Sequence, residues 1–366
     1  MNRKVAMAAL TTLVVLTWGS TAWAQLWLDP RCKRLPFDRI MPVVELSHGR
    51  LLKMEGTVFR TSSDDGKTWS PRRKIYDRPA PGIPSTEEAC AQVLRTRSGA
   101  LVMVYMDMST FKWKWDAAKN EAAQDSRLDV WAIRSLDEGT TWIDRQKILD
   151  GYCGALIGII QTTSGQIVAP MQTMLDRKRH VTVTCVSADD GKTWQQGNVI
   201  DIGGRGDHDG GFEATVAQLS KGRLLMLIRT NLDRFWEAYS DDQGRYWREI
   251  RPSQIDASSS PGHLVRLASG RLALVWNRLC AEGKSVVRRA AVGLAETPAS
   301  WQRGELSLAF SEDDAKTWSK PVVIVRQPGA SLAYPHIFER RPGELWIGTQ
   351  QTAICLSLKE ADLVQK

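Results

Sequence analysis

An eight-residue pattern, repeated five times, limits this chain to a narrow set of folds. Ser62-Ser63-Asp64-Asp65-Gly66-Lys67-Thr68-Trp69 reads S-x-D-x-G-x-T-W. It returns at Ser135–Trp142 and Ser187–Trp194, and in degenerate form at Ser240–Trp247 and Ser311–Trp318. Each element suits a hairpin turn. The Asp accepts from the turn's own backbone, the Gly tolerates positive φ, and the Trp returns as an apolar anchor. A repeat of several dozen residues with a β-turn in every copy predicts a radial array of small sheets, an all-β propeller.

Five boxes predict five blades, and a second repeat adds a sixth. An apolar hairpin with a Gly at its turn recurs around Gly49, Gly99, Gly165, Gly222, Gly270 and Gly343. Short apolar runs separated by Gly turns are antiparallel strand pairs. After the sixth hairpin comes one more strand, Ala353 to Leu358, and no box. The expected fold is six four-stranded antiparallel blades, with N- and C-terminal strands closing the ring in one blade. Gln25 to Leu28 is the expected outer strand of that blade, since closure removes an exposed edge. Cys32 and Cys355 would then be neighbours that a disulfide could join; buried thiols are expected for most of the six cysteines.

The chain divides into residues 1–24, a signal peptide, and 25–366, the propeller. Asn2-Arg3-Lys4 is a basic start, Val5 to Trp18 is apolar, and Ala22-Trp23-Ala24 is a small-residue cleavage site. The apolar run is short for a membrane span, so the mature protein is expected to be secreted or periplasmic, with no span after cleavage. Net charge is +8, but Lys and Arg are spread thinly, with no dense tract of the kind a nucleic-acid partner needs. The cysteines form no C-x-x-C pair and no zinc spacing, so no metal is expected.

The repeat also defines a working face. The box lies between a blade's third and fourth strands, on the rim opposite the strand ends that converge on the axis. Box acids are therefore read as architectural. Aligning the hairpin glycines puts Glu213 and Tyr334 at equivalent entries to blades four and six. Arg229, Gln350, Asn277 and Gln172 fall at returning strand ends, Arg39 precedes the first strand, and Arg303 opens the third strand of blade five.

These motifs resemble the sialidase (neuraminidase) superfamily over essentially the whole mature chain: the Asp boxes, the Arg39-Ile40-Met41-Pro42 start and the rim constellation. The resemblance implies an arginine triad, Arg39, Arg229 and Arg303, holding a substrate carboxylate. It implies Tyr334 as nucleophile and Glu213 as its proton acceptor. Planar guanidinium forks suit carboxylates. A neutral phenol avoids repelling an anionic sugar, but needs a base because its ordinary pKa lies near 10. Glycosidases with a Tyr nucleophile form a recognised group.

Three positions depart from that pattern. Met41 is inserted in the Arg-Ile-Pro start. Gln350 stands where the family places a Glu that supports the first arginine. The family's acid/base loop in blade one is missing, because Met54-Glu55-Gly56-Thr57-Val58 runs straight into the next strand. Glu55 or Asp107 is the expected replacement, with Glu87, Glu88, His208 and Asp209 as further rim groups. The insertion from Asp107 to Arg127, with Trp113, Trp115, Asp116 and Asp125, is read as a substrate-covering loop. The expected function is exo-acting hydrolysis of a terminal acidic sugar, sialic acid first, without a cofactor. The alternatives are a hydrolase or lyase of another acidic polysaccharide, and a non-catalytic carbohydrate-binding propeller.

Overall fold

The computed structural model describes residues 25–37, 42–75, 90–287, 289–290 and 295–364. Their strands form six antiparallel blades. Blade one contains Val43–Glu45, Leu51–Glu55, Val58–Ser62 and Arg73–Lys74; blade two contains Ala91–Arg95, Leu101–Met106, Val130–Ser135 and Ile143–Leu149. Blade three contains Ile160–Gln161, Ile167–Leu175, Arg179–Ser187 and Gln195–Gln196; blade four contains Phe212–Gln218, Leu224–Arg229, Arg234–Ser240 and Glu249–Asp256. Blade five is built on His263–Arg266, Leu272–Trp276, Glu305–Ser311 and Val322–Arg326; blade six on Pro335–Arg341, Glu344–Thr349 and Ile354–Lys359.

The N-terminal segment differs from expectation in register. Lys33–Arg34, not the residues before it, pairs with Ile354–Lys359 and supplies the fourth strand of blade six. Trp27–Leu28 instead adds a fifth strand to blade five, beside Val322–Arg326. A turn separates the two: Asp29 Oδ1 accepts from Arg31 N at 2.9 Å and from Arg31 Nε at 2.8 Å. The chain thus crosses the seam between the last two blades and covers both edges. Cys32 and Cys355 are both buried and form no disulfide. The reason is packing, since Cys32 faces the core between blades five and six and Cys355 the core between blades six and one.

Each Asp box closes on itself. Asp64 Oδ1 accepts from Thr68 N at 2.9 Å, Oδ2 accepts from Thr68 Oγ1 at 2.6 Å, and Ser62 Oγ accepts from Gly66 N at 2.9 Å. The side-chain and backbone donors of Thr68, then Ser62, pull the Asp64 carboxyl down to about 2. The same Ser and Asp bonds recur in the other four boxes. A box also locks its blade to the preceding one. At Gly191 a Cβ would sit 2.8 Å from Val102 of blade two, so only glycine permits that approach. Trp142 likewise packs with Phe59 of blade one, ring centroids 6.3 Å apart. The boxes are therefore inter-blade fasteners, and the strand ends on the opposite rim are left for other work.

Candidate active site

Two inner strands enter the open rim through strained backbone. Glu213 has φ 51° and Tyr334 φ 57°, both in the left-handed region that non-glycine residues seldom occupy. At Glu213 the strain is a bulge: Phe212 pairs with Arg229 and Thr215 with Leu227, so the register slips between them. Such a conformation costs about 1–3 kcal/mol and persists where surrounding structure enforces it, commonly at functional sites.

The two side chains meet. Tyr334 Oη donates to Glu213 Oε1 at 2.8 Å. Arg229, at the end of Leu224–Arg229, donates from Nη1 to Glu213 Oε2 at 2.5 Å and approaches Tyr334 Oη at 3.4 Å. Its Nε and Nη2 donate to Ser259 Oγ at 3.1 and 3.0 Å, and Ser259 Oγ donates to Asn231 Oδ1 at 2.8 Å. Arg229 lies over the Phe212 ring, 4.5 Å from its centroid. Burial, and then the Glu213 carboxylate, push the Tyr334 phenol well above its ordinary value. Tyr334 is thus a neutral phenol whose proton already points at a carboxylate oxygen.

Arg303 completes the group differently. It donates to Ser259 O at 2.7 Å and to Gln351 Oε1 at 3.2 Å, and lies 3.6 Å above the Trp301 ring. It is 4 % exposed and forms no ion pair among the described residues. Burial and the neighbouring charge of Arg229 pull it down to about 10. A buried guanidinium without a counter-ion is unfavourable by itself, and a bound anion relieves it.

The long insertion after Asp107 lies across this rim. It carries a hairpin, Trp115–Asp116 with Glu121–Ala122. Ala122 N donates to Arg177 O at 2.7 Å and Asn120 Nδ2 to Glu296 Oε1 at 3.0 Å, so the strap is anchored on both sides. Trp113 stacks on Tyr152 with centroids 4.2 Å apart, and His180 is near both rings, 6.1 Å from the first and 6.0 Å from the second. Burial, then the charges around it, pull the His180 imidazole down to about 3.

Several residues expected at the site are committed elsewhere. Glu55 faces two cations, Lys53 at 3.1 Å and Arg72 at 3.0 Å. The turn after it is tight, with Glu55 paired directly to Val58. Asp107 caps the short helical turn Met108–Thr110, accepting from Ser109 N at 3.1 Å and Ser109 Oγ at 2.6 Å, with Arg145 at 3.6 Å. Glu55 and Asp107, read from the sequence as replacement acids, thus each hold structural partners. Gln350 N donates to Tyr334 O at 3.2 Å, while the amide side chain that meets an arginine is that of Gln351. Asp209 accepts from Gly210 N at 2.8 Å and Thr297 Oγ1 at 3.1 Å, holding its own loop. Asn277 ties Glu305 O to Leu332 O at 2.8 and 3.1 Å. Arg39, Met41, Glu87 and Glu88 lie outside the described residues.

Sequence reasoning passed over Ser259, Gln351, Trp301, Tyr152, His180 and Asp207. Trp301 had a signal, being two residues before Arg303; the others sit in loops or strand starts without a repeat signature.

A six-bladed propeller fastened by Asp boxes, with arginines and a Tyr–Glu pair on its rim, defines a propeller of the sialidase type. The BNR repeat-like domain description matches residues 57–347, and the chain belongs to that family. No curated protein matches it. Solved structures do. A protein of unknown function from Dyadobacter fermentans is 16 % identical with a TM-score of 0.61, covering 90 % of this chain and 100 % of that one. The Hadza microbial sialidase Hz136 is 18 % identical with a TM-score of 0.61, over 89 % of this chain and 66 % of that one. The NanB sialidase from Streptococcus pneumoniae is 14 % identical with a TM-score of 0.58, over 94 % and 72 %.

Proposed function

We propose that the protein is a secreted, exo-acting glycoside hydrolase that removes a terminal acidic sugar, with sialic acid the first substrate. The observation that carries this reading is Arg303, buried beside the Tyr334–Glu213 pair without a counter-ion among the described residues. A substrate carboxylate would satisfy Arg303 and the outer face of Arg229 by charge-assisted bonds. The strap over the rim favours an end-on pocket over an open groove, hence exo action. Secretion rests on the charge and apolar pattern of residues 1–24, which lie outside the described residues; among the described residues no helix is long and apolar enough to cross a membrane.

In the first step Tyr334 Oη attacks the anomeric carbon and passes its proton to Glu213 as the bond to the leaving oxygen breaks. The leaving oxygen takes a proton from an acid. In the second step water attacks the same carbon, the bond to Tyr334 breaks, and Glu213 returns the proton to the phenolate. Glu213 serves both steps because it is hydrogen-bonded to the phenol at rest.

The tight turn at Glu55 favours a second reading, a hydrolase or lyase of another acidic polysaccharide, since the family's acid loop is absent there. A non-catalytic glycan-binding role is the third. Assay of the secreted protein on a fluorogenic sialoside, then on uronic-acid glycans, separates them. Release of free sialic acid supports the first, an unsaturated or saturated uronide product the second, and binding without turnover the third.

A further inference from the structure

The reaction just described needs a proton donor at the leaving oxygen, and Glu55 and Asp107 each lie beside cations, Lys53 and Arg72 for the first and Arg145 for the second. We infer that Asp207, set against His208 on the loop entering blade four, is the general acid and base of this site. The inference rests on the hydrolase reading and names the one group that reading lacks.

The loop is built to be rigid. His180 N donates to Asp209 O at 2.9 Å, Gly211 N to His180 O at 3.2 Å, and Gly206 N to Lys178 O at 2.9 Å. At Gly210 (φ 104°) a Cβ would sit 2.1 Å from His180 O, so the clamp requires glycine. The loop is also wired to the arginine. Asn231, which accepts from the Ser259 that holds Arg229, donates from Nδ2 to His208 O at 2.9 Å. The position of Asp207 is therefore tied to the same frame as the Tyr–Glu pair, as acid and nucleophile must be.

Asp207 is buried, and its Oδ1 lies 2.7 Å from His208 Nδ1. That contact is poorly aligned, and among the described residues Oδ1 has no well-formed hydrogen bond. Glu55 Oε2 is likewise without a well-formed hydrogen bond, but Glu55 faces two cations, whereas Asp207 has no Lys or Arg partner among the described residues. The surroundings form one wall. His180 is 5.9 Å from the His208 ring, 6.0 Å from Tyr152 and 5.3 Å from Phe212, over which Arg229 lies. Asp207 and Glu213 also act on one phenol, since burial first, and then both negative charges, raise Tyr152. In the first step protonated Asp207 gives its proton to the leaving oxygen; in the second it takes one from the attacking water and is restored.

Asp207→Asn tests this through leaving-group dependence. On sialyllactose, whose leaving alcohol needs a proton, kcat/KM is expected to fall about 10²–10⁴-fold. On nitrophenyl sialoside, whose leaving group needs none, the first step should fall far less, and added azide should raise turnover and yield the sialyl azide. An equal loss on both substrates, or no loss in a folded variant, overturns the inference while leaving the Tyr334 reading intact. Asp207→Ala serves if the Asn variant does not fold; failure of both to fold would assign Asp207 to structure alone and also overturn it. A wild-type protein that cleaves neither sialosides nor uronides removes the hydrolase reading and this inference together.

Discussion

Tyr334 Oη donates to Glu213 Oε1 at 2.8 Å although the residues are 121 positions apart, and both reach that contact through left-handed backbone. Two strained residues in equivalent places on blades four and six aim one phenol at one carboxylate. Each conformation is unfavourable by itself.

Removing one oxygen tests that pair. Tyr334→Phe should fold with a melting temperature close to wild type and still bind an acidic sugar, while turnover of an aryl sialoside falls by about 10³-fold or more. Glu213→Gln should lower the same step by about 10²–10⁴-fold. Steady-state kinetics beside calorimetric binding separates the two effects. A Tyr334→Phe protein with full activity would remove the mechanism.

The two arginines should respond in opposite directions in stability. Arg303 lacks a counter-ion among the described residues, so Arg303→Met should abolish tight binding of the acidic sugar yet raise stability by on the order of 1–3 kcal/mol. Arg229 is paired with buried Glu213, so Arg229→Ala should destabilise by about 3–5 kcal/mol by leaving that carboxylate alone. Urea denaturation of the two variants side by side decides it.

Among the box tryptophans only Trp247 is nearly inaccessible, at 1 % exposure, and it donates to Thr184 Oγ1 and Gly244 O at 3.1 Å each. Trp247→Ala should therefore lose about 3–5 kcal/mol. Trp69→Ala, Trp142→Ala and Trp194→Ala, at partly buried positions, should lose less, and none should change kcat selectively. Unaltered melting with lost activity would make the boxes functional.

Acid should destabilise the fold through its buried histidines. Burial, then the neighbouring His208, hold His180 down to about 3, and burial and His336 hold His263 well below its ordinary value. An unfolded histidine takes up a proton below about pH 6.5. Between that pH and the depressed native value the unfolded chain binds more protons, so stability falls as pH drops. Each histidine should remove on the order of 1–2 kcal/mol between pH 7 and 5. His263→Gln should shrink that fall in denaturant titrations at the two pH values; an unchanged slope would show that His263 titrates normally.

Local chemistry made much of the molecule readable in one dimension. Ser62, Asp64, Gly66 and Thr68 bond only within their own turn, so five such turns and six hairpin glycines were enough to predict six blades and the rim that the boxes leave open. The equivalence of Glu213 and Tyr334 followed from the same repeat, because aligned glycines imply aligned strand ends. Contacts between blades were not readable that way. The crossing of Trp27–Leu28 to blade five and Lys33–Arg34 to blade six depends on which edges the closed ring leaves uncovered. The capture of Glu55 by Lys53 and Arg72, the capping by Asp107, and the choice of Gln351 over Gln350 depend on side-chain reach at separations the repeat does not encode. The placement of Asp207 is likewise a tertiary fact, set by a glycine-rich loop clamped on His180 from another blade. Sequence determined the elements and their repeat because those rest on hydrogen bonds a few residues long. Tertiary structure decided which charges meet, because that depends on distances across the ring.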